Sequence, residues 1–170
     1  GGPVVSHLRI AAAPEAIHAV RVASGAADAL LACDSVTASG ADVVARLAKG
    51  RSRAFVNAAT TITARTTRER DFLPDADRLR ARIESQIDAD AARFIDATGL
   101  ATALMGDAIG TNLFMVGYAW QQGAIPVSAE AIEQAIALNG VAEAMNRAAF
   151  RWGRIAAVDP EAAARAAKPV

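Results

Sequence analysis

The longest stretch of apolar residues in the chain runs from 100 to 123. Its sequence is LATALMGDAIGTNLFMVGYAWQQG, and Asp107 is its one charged side chain. A membrane-spanning helix needs about 20 consecutive apolar residues, so the length alone fits a membrane span. A carboxylate at mid-span costs about 2.5 to 3.5 kcal/mol, which opposes that interpretation. The pattern therefore favours a helical region enclosed by its own domain, with Gly110 as the position where the helix would break in two.

Alternation of apolar and polar residues predicts a strand close to the N-terminus. The run PVVSHLRI at residues 3–10 alternates in this way, so that His7 and Arg9 share one face. Three further apolar runs are typical of buried strands: ALLACD at 29–34, SRAFVNA at 52–58 and ARFIDA at 92–97.

Helical patterns separate and follow these runs. We predict a helix over 41–49, one beginning at Asp75, a long apolar helical region capped by Thr98, a helix capped by Ser128, and a last long helix over 141–157. Residues 60–74 have no clear period and predict a long surface loop, and residues 160–170 predict a terminal helix or tail. Strands separated by helices predict a three-layer α/β/α fold with a mostly parallel sheet.

Composition limits the classes of partner and site. At 170 residues the chain is expected to form a single domain, and its 18 Lys and Arg residues balance 18 Asp and Glu residues. Without a net positive charge there is no field to attract nucleic acid or an anionic membrane surface. Cys33 is the only cysteine, which excludes an internal disulfide and a cluster held by cysteines of this chain alone, and it indicates a reducing, cytoplasmic setting. The start at Gly-Gly-Pro, without Met or an apolar leader, leads us to expect a piece of something larger.

Local motifs supply two candidate sites. No nucleophile–base pair, metal-ligand spacing or phosphate-binding glycine loop is apparent in the sequence. Ser6, His7 and Arg9 are candidates for a polar site in which Arg9 holds a phosphate or carboxylate bidentately; the alternative is a strand face covered by another subunit or by solvent. Asp107 and Asn112 lie five residues apart, so they share a site only if the helix breaks between them.

A row of arginines on the last long helix has two interpretations. Arg147, Arg151 and Arg154 follow one another at four- and three-residue steps and share a face. Such a row is usually a solvated surface. The alternative is a docking surface for an acidic partner.

Four ordered blocks of the sequence resemble the γ-type domain of the 2-oxoacid:ferredoxin oxidoreductase family, most closely its fused, indolepyruvate ferredoxin oxidoreductase-like members. The blocks are GGPVVSHLRI at 1–10, ADALLACD at 27–34, DATGLATALMGDAIGTNLFMVGYAWQQGAIPVS at 96–128 and IALNGVAEAMNRAAFRWGR at 136–154. The resemblance implies a fold like domain III of pyruvate-ferredoxin oxidoreductase, here missing its first βα unit.

The resemblance also implies an activity for the enzyme of which the chain is a part. That enzyme oxidatively decarboxylates 2-oxo acids, indolepyruvate or other aryl pyruvates, to acyl-CoA and passes the electrons to ferredoxin. It uses thiamine diphosphate, Mg²⁺, 4Fe-4S iron–sulfur clusters and CoA. None of these is expected to be bound by this chain alone, because the thiamine and the clusters belong to other domains or subunits. The implied assembly is a homodimer of the whole enzyme.

Two motifs of the family match residues of this chain. Ser6, His7 and Arg9 match its S-H-x-R block, and Asp107 with Asn112 match its G-D-x-x-x-x-N block. The match implies positions near CoA or at an interface, with no catalytic role. The alternative function is a stand-alone CoA- or nucleotide-binding module.

Overall fold

The computed structural model describes residues 2–59 and 76–168 of the chain. The chain divides into two compact units, Gly1–Arg93 and Phe94–Val170. The loop predicted at 60–74 lies outside the described residues.

A three-stranded sheet is built from the three apolar runs. Its strands, in spatial order, are β1 (Ala29–Ala32), β2 (Arg53–Asn57) and β3 (Ala92–Ile95). β1 and β2 run parallel, with Leu31 opposite Phe55. The central strand is the most buried, and its Ala54, Phe55 and Val56 are fully buried, as expected for a strand covered on both faces. The sheet is parallel and flanked by helices, which confirms the predicted three-layer α/β/α fold class.

The strand predicted at residues 3–10 is not observed. Residues 2–13 contain no helix or strand, and the first element is a single 3₁₀ turn at Pro14–Ala16. Alternation specifies the two faces of an extended segment, but a strand also needs a neighbour to pair with, and no described strand pairs with this segment. Its apolar side chains consequently remain exposed, Val4 by 82% and Leu8 by 76%.

The helices of the first unit are short. Among the described residues of this unit they are α1 (Ser35–Ala38), α2 (Ala41–Val44) and α3 (Ala76–Glu84). Asp34 begins α1 as its N-cap, because its carboxylate accepts a hydrogen bond from the backbone N–H of Val36 at 2.9 Å. α2 ends before the predicted residue 49, since the chain turns at Ala45 and Arg46.

The second unit is helical. After the end of β3 its helices are α4 (Ala97–Met105), α5 (Thr111–Gln121), α6 (Ala129–Asn139), α7 (Glu143–Val158) and α8 (Pro160–Ala166). The cap of α6 is Ser128, as predicted, and its hydroxyl accepts a hydrogen bond from the N–H of Ala131 at 3.1 Å. The cap of α4 is Asp96 rather than the predicted Thr98, because the carboxylate of Asp96 accepts from the N–H of Gly99.

The apolar stretch at 100–123 is two helices joined by a turn. α4 ends at Gly106, whose φ of 77° lies in the left-handed region that glycine adopts without strain, and a 3₁₀ turn at Ala108–Gly110 leads into α5. The predicted break is therefore confirmed, although it begins at Gly106 and not at Gly110. Within the described ranges, no helix combines the length and the apolar character that crossing a membrane requires.

Candidate functional site

A cleft of about 270 Å³ lies in the first unit. The residues that line it are Val5, His7, Arg21, Asp42, Val43 and Arg46. His7 comes from the segment that was predicted as a strand, and Arg21 comes from the loop before β1. Asp42, Val43 and Arg46 come from α2 and the turn directly after it. The cleft therefore brings together three separate segments of the chain.

Two consecutive residues, Arg21 and Val22, orient the basic side chains around this cleft. The N–H of Val22 donates a hydrogen bond to Nδ1 of His7 at 3.0 Å, and the guanidinium of Arg46 donates to the carbonyl oxygen of Val22. The carbonyl oxygen of Arg21 accepts from the guanidinium of Arg9 at 3.1 Å. His7 and Arg9 thus reach the same short segment, although they do so without a strand.

The hydrogen bond from Val22 determines the tautomer of a neutral His7 side chain. Because Nδ1 accepts a hydrogen bond, the ring proton of the neutral imidazole is on Nε2, which is then a donor. Ser6 differs from its neighbour: it is exposed, does not line the cleft and makes no hydrogen bond with the described residues. Of the block Ser6, His7 and Arg9, the structure therefore brings the last two together and leaves Ser6 apart.

Positive charge exceeds negative charge at the cleft. Arg21 and Arg46 face a single carboxylate, that of Asp42, and Arg9 is bonded directly beside them. Within residues 2–59 and 76–168, neither Asp42 nor the guanidinium of Arg21 takes part in an ion pair or side-chain hydrogen bond. Such an arrangement of donors and unpaired positive charge suits an oxyanion.

The sequence pattern did not single out Arg21, Asp42 or Arg46. They are ordinary surface-type charges on a loop, a short helix and a turn, and no motif relates their spacing. They become neighbours only in the folded chain, where Arg46 binds the carbonyl oxygen of Val22, the residue next to Arg21. The alternation of apolar and polar residues along 3–10 was the one signal in the sequence that pointed to part of this site, namely His7 and its neighbour Arg9.

Asp107 and Asn112 lie in the second unit, and both are exposed. The carboxylate of Asp107 accepts a hydrogen bond from the N–H of Ile109 at 2.9 Å and so caps the 3₁₀ turn. The expectation that the whole region 100–123 is enclosed by its own domain is wrong at Asp107, which is exposed. The left-handed residue Gly106 ends α4 directly before it, so Asp107 falls in the exposed connection between two helices.

The row of arginines on α7 is largely paired within its own unit. Arg147 forms ion pairs with Glu133 on α6 at 2.8 Å and with Glu143 at 2.9 Å, and Arg151 contacts Glu133 at 3.3 Å. Hydrogen bonds from Arg151, with the charges of Arg151 and Arg147, lower the pKa of the Glu133 carboxyl from its ordinary value. An acidic partner would have to compete with these carboxylates, which argues against the docking interpretation.

Arg154, the third arginine of the row, is held differently. Its Nε donates to the side-chain oxygen of Gln121 at 3.0 Å, and its guanidinium lies 4.6 Å from the ring centre of Trp120. The same group lies 5.7 Å from the ring centre of Phe150. Arg154 therefore stabilises the packing of α5 against α7 and is not a free surface charge.

Cys33 and Asn57 lie at the carboxyl ends of β1 and β2. The side-chain amide of Asn57, which is buried, donates to the carbonyl oxygen of Cys33 at 3.0 Å. Burial, and secondly the neighbouring carboxylate of Asp34, raise the pKa of the Cys33 thiol. Within the part of the chain that the structure describes, no group of three or more His, Cys, Asp or Glu residues is arranged to hold a metal ion.

Comparison with known protein families shows which family the chain matches. The model of the family described as pyruvate ferredoxin/flavodoxin oxidoreductase matches residues 1–156. No curated protein and no solved structure matches significantly. The matched region contains the cleft as well as α4 to α6 and most of α7. Because it covers most of the 170 residues, the chain belongs to the pyruvate ferredoxin/flavodoxin oxidoreductase family.

Proposed function

We propose that this chain is a non-catalytic, CoA-proximal domain of an enzyme that oxidatively decarboxylates 2-oxo acids to acyl-CoA. Its substrates are indolepyruvate or other aryl pyruvates, and ferredoxin accepts the electrons. The observation that carries the proposal is the family match over residues 1–156. The resemblance of the four sequence blocks to the γ-type domain supports the subtype.

The cofactors of this reaction belong to other domains or subunits in our proposal. Thiamine diphosphate with Mg²⁺ supplies the decarboxylation chemistry, and 4Fe-4S clusters carry the electrons. A cluster of this kind is held by about four cysteine thiolates, and the chain has only Cys33. The partners are therefore thiamine- and cluster-bearing domains or subunits in a cytoplasmic, homodimeric enzyme.

The residues of this chain contribute binding in the proposal and do not take part in bond making. Val22 holds the imidazole of His7, and the carbonyl oxygen of Arg21 holds the guanidinium of Arg9. Both side chains thus present hydrogen-bond donors in fixed positions, which is what recognition of an anionic ligand requires. Asp107 and Asn112 are exposed and fit an interface with another part of the enzyme.

The test uses the intact enzyme that contains this chain. We expect indolepyruvate and CoA together to support ferredoxin reduction. The substitution His7→Ala should raise KM for CoA about tenfold while kcat at saturating CoA stays unchanged, because it removes a donor that contributes only to binding. The matched control is Arg78→Gln, an exposed residue of α3 that does not line the cleft.

Three results would contradict the proposal in different ways. A fall in kcat without a change in KM would place His7 in the chemistry, so the domain would not be non-catalytic. Failure of every 2-oxo acid to reduce ferredoxin, in enzyme that contains its thiamine and clusters, would reject the activity itself. A higher kcat/KM for pyruvate than for indolepyruvate would reject the aryl substrate alone.

The alternative is a stand-alone CoA- or nucleotide-binding module, which the positively charged cleft favours. Calorimetry on the 170-residue chain distinguishes the two functions. Micromolar affinity for CoA in the absence of any other domain would support the module. Binding that appears only in the assembled enzyme would support the proposed domain.

A further inference from the structure

The first-unit cleft has more donors and positive charge than its own residues use. Within the described residues, the guanidinium of Arg21 makes no hydrogen bond or ion pair, and Asp42 forms no ion pair with Arg21 or Arg46. Arg46 uses one nitrogen, Nη1, for the carbonyl oxygen of Val22, while a guanidinium has five N–H donors. His7 adds Nε2–H as a neutral donor.

The orientation of these donors is already set by the backbone. The N–H and C=O of one residue, Val22, hold His7 and Arg46, so neither side chain has to be ordered fully when a ligand binds. Ordering a flexible side chain costs about 0.5 to 1.5 kcal/mol on binding, and a preorganised site avoids much of this cost. The cleft is therefore more than a chance cluster of exposed arginines.

The volume of the cleft limits what it can enclose. At about 270 Å³ it is smaller than the pockets of roughly 300 to 1,000 Å³ that enclose whole small molecules. It has room for a phosphate or pyrophosphate group but not for a complete nucleotide. Guanidinium groups bind phosphate oxygens bidentately, which matches the two arginines of the lining.

We infer that this cleft binds the phosphate group of a phosphorylated ligand through Arg21, Arg46 and Nε2–H of His7. The inference deepens the proposed position near CoA, and it rests on that proposal only for the identity of the ligand that bears the phosphate. The rest of the ligand lies outside the cleft.

The test is a titration of the 170-residue chain with inorganic pyrophosphate at low ionic strength, followed by amide chemical shifts. We expect saturable shifts at Val22 and at the residues that line the cleft. Arg21→Gln should weaken binding about tenfold or more, because it removes a charge-assisted donor. The guanidinium of Arg21 is exposed and makes no hydrogen bond or ion pair with the described residues, so we expect the variant to keep its fold. Arg46→Lys keeps the charge but loses the fork geometry, and should weaken binding as well.

The matched control is again Arg78→Gln, which removes the same charge outside the cleft. Equal weakening by Arg21→Gln and Arg78→Gln would show general charge attraction and overturn the inference. Shifts that do not saturate, or that occur away from the cleft, would overturn it too.

A second arm identifies the source of the phosphate. If the 3′-phosphate of CoA occupies the cleft, CoA will bind more tightly than dephospho-CoA; if the pyrophosphate occupies it, the two will bind equally. Pyrophosphate binding without binding of either cofactor would support the phosphate site and reject only the proposed proximity to CoA. Activity of the intact enzyme without pyrophosphate binding would reject the phosphate site and retain the proposed function.

Discussion

Gly117 on α5 faces the carbonyl oxygen of Phe150 on α7 so closely that a Cβ atom on Gly117 would lie 2.0 Å from that oxygen. The contact is reciprocal along the pair of helices, since a Cβ atom on Gly153 would lie 1.9 Å from the carbonyl oxygen of Phe114. Phe114 and Phe150 are both fully buried beside these glycines. The two glycines therefore allow the backbones of α5 and α7 to come into direct contact.

We expect Gly117→Ala and Gly153→Ala each to destabilise the protein. Alanine in a helix is normally more favourable than glycine by about 1 kcal/mol, but here the added methyl group collides with rigid backbone. Overpacking of this kind costs about 1 to 3 kcal/mol, or more where the backbone cannot move. Urea unfolding of each variant measures the difference. The matched control is Gly2→Ala, where no atom lies within 4 Å of the added methyl group, and we expect no change there. Stabilisation by either helical substitution would contradict the observed crossing.

Stability should depend on the ionisation of Glu133 at acidic pH. Its pKa is lowered in the folded state by hydrogen bonds from Arg151 and by the charges of Arg151 and Arg147. The carboxylate therefore contributes stability above its unfolded pKa of about 4.3, and the contribution is lost as the pH falls through the lower, folded pKa. We expect Glu133→Gln to reduce the loss of unfolding free energy on acidification from pH 6. Glu15→Gln, at an exposed position in the first unit, is the control. Identical pH profiles for the wild type and Glu133→Gln would refute the coupling.

Cys33 should react slowly with thiol reagents at neutral pH. Burial and the carboxylate of Asp34 raise its pKa, so the reactive thiolate is scarce. The rate of reaction with a disulfide reagent, measured against pH in the native and denatured protein, should give a higher midpoint for the native protein. Because the folded pKa is the higher one, stability from this group is complete below the unfolded pKa of about 8.5 and is lost as the pH rises through the folded pKa.

Asp34→Asn tests the smaller of the two causes. Asparagine keeps the N-cap of α1 but removes the charge, so the native midpoint of Cys33 should fall only partly towards that of the denatured protein. Complete loss of the difference would mean that charge, and not burial, is the main cause. Cys33→Ser provides the background rate.

The buried strands were predictable because continuous apolar runs have few alternatives in a chain of this size. β2 is the best case: its burial on both faces follows from the run around Phe55. The segment at 3–10 was mispredicted because alternation fixes the faces of a strand and says nothing about whether a partner is present. His7 and Arg9 nevertheless come together at Arg21 and Val22.

The cleft itself was not predictable from the sequence. Its arginines come from a loop and from the turn that ends α2. Arg46 and His7 lie close together because the C=O of Val22 binds Arg46 and the N–H of Val22 binds His7. Neither hydrophobic periodicity nor residue spacing in the sequence predicts such a tertiary contact between loops. The prediction that Asp107 is enclosed by the domain was wrong for a local reason. The average hydropathy of residues 100–123 gives no sign of the left-handed turn at Gly106.

Substitutions of Asp107 test whether this residue acts as an exposed cap of the 3₁₀ turn. As an exposed N-cap it accepts one hydrogen bond, from the N–H of Ile109, so Asp107→Ala should cost about 1 kcal/mol of unfolding free energy. Asp107→Asn keeps an acceptor oxygen and should cost only a few tenths of this. Asn112→Ala, at an exposed position of α5, is the control and should change stability by less than about 0.5 kcal/mol. Urea unfolding compares the three variants. A loss above about 3 kcal/mol for both substitutions of Asp107 would indicate a buried charge that has lost its partner, because an exposed cap does not produce so large an effect.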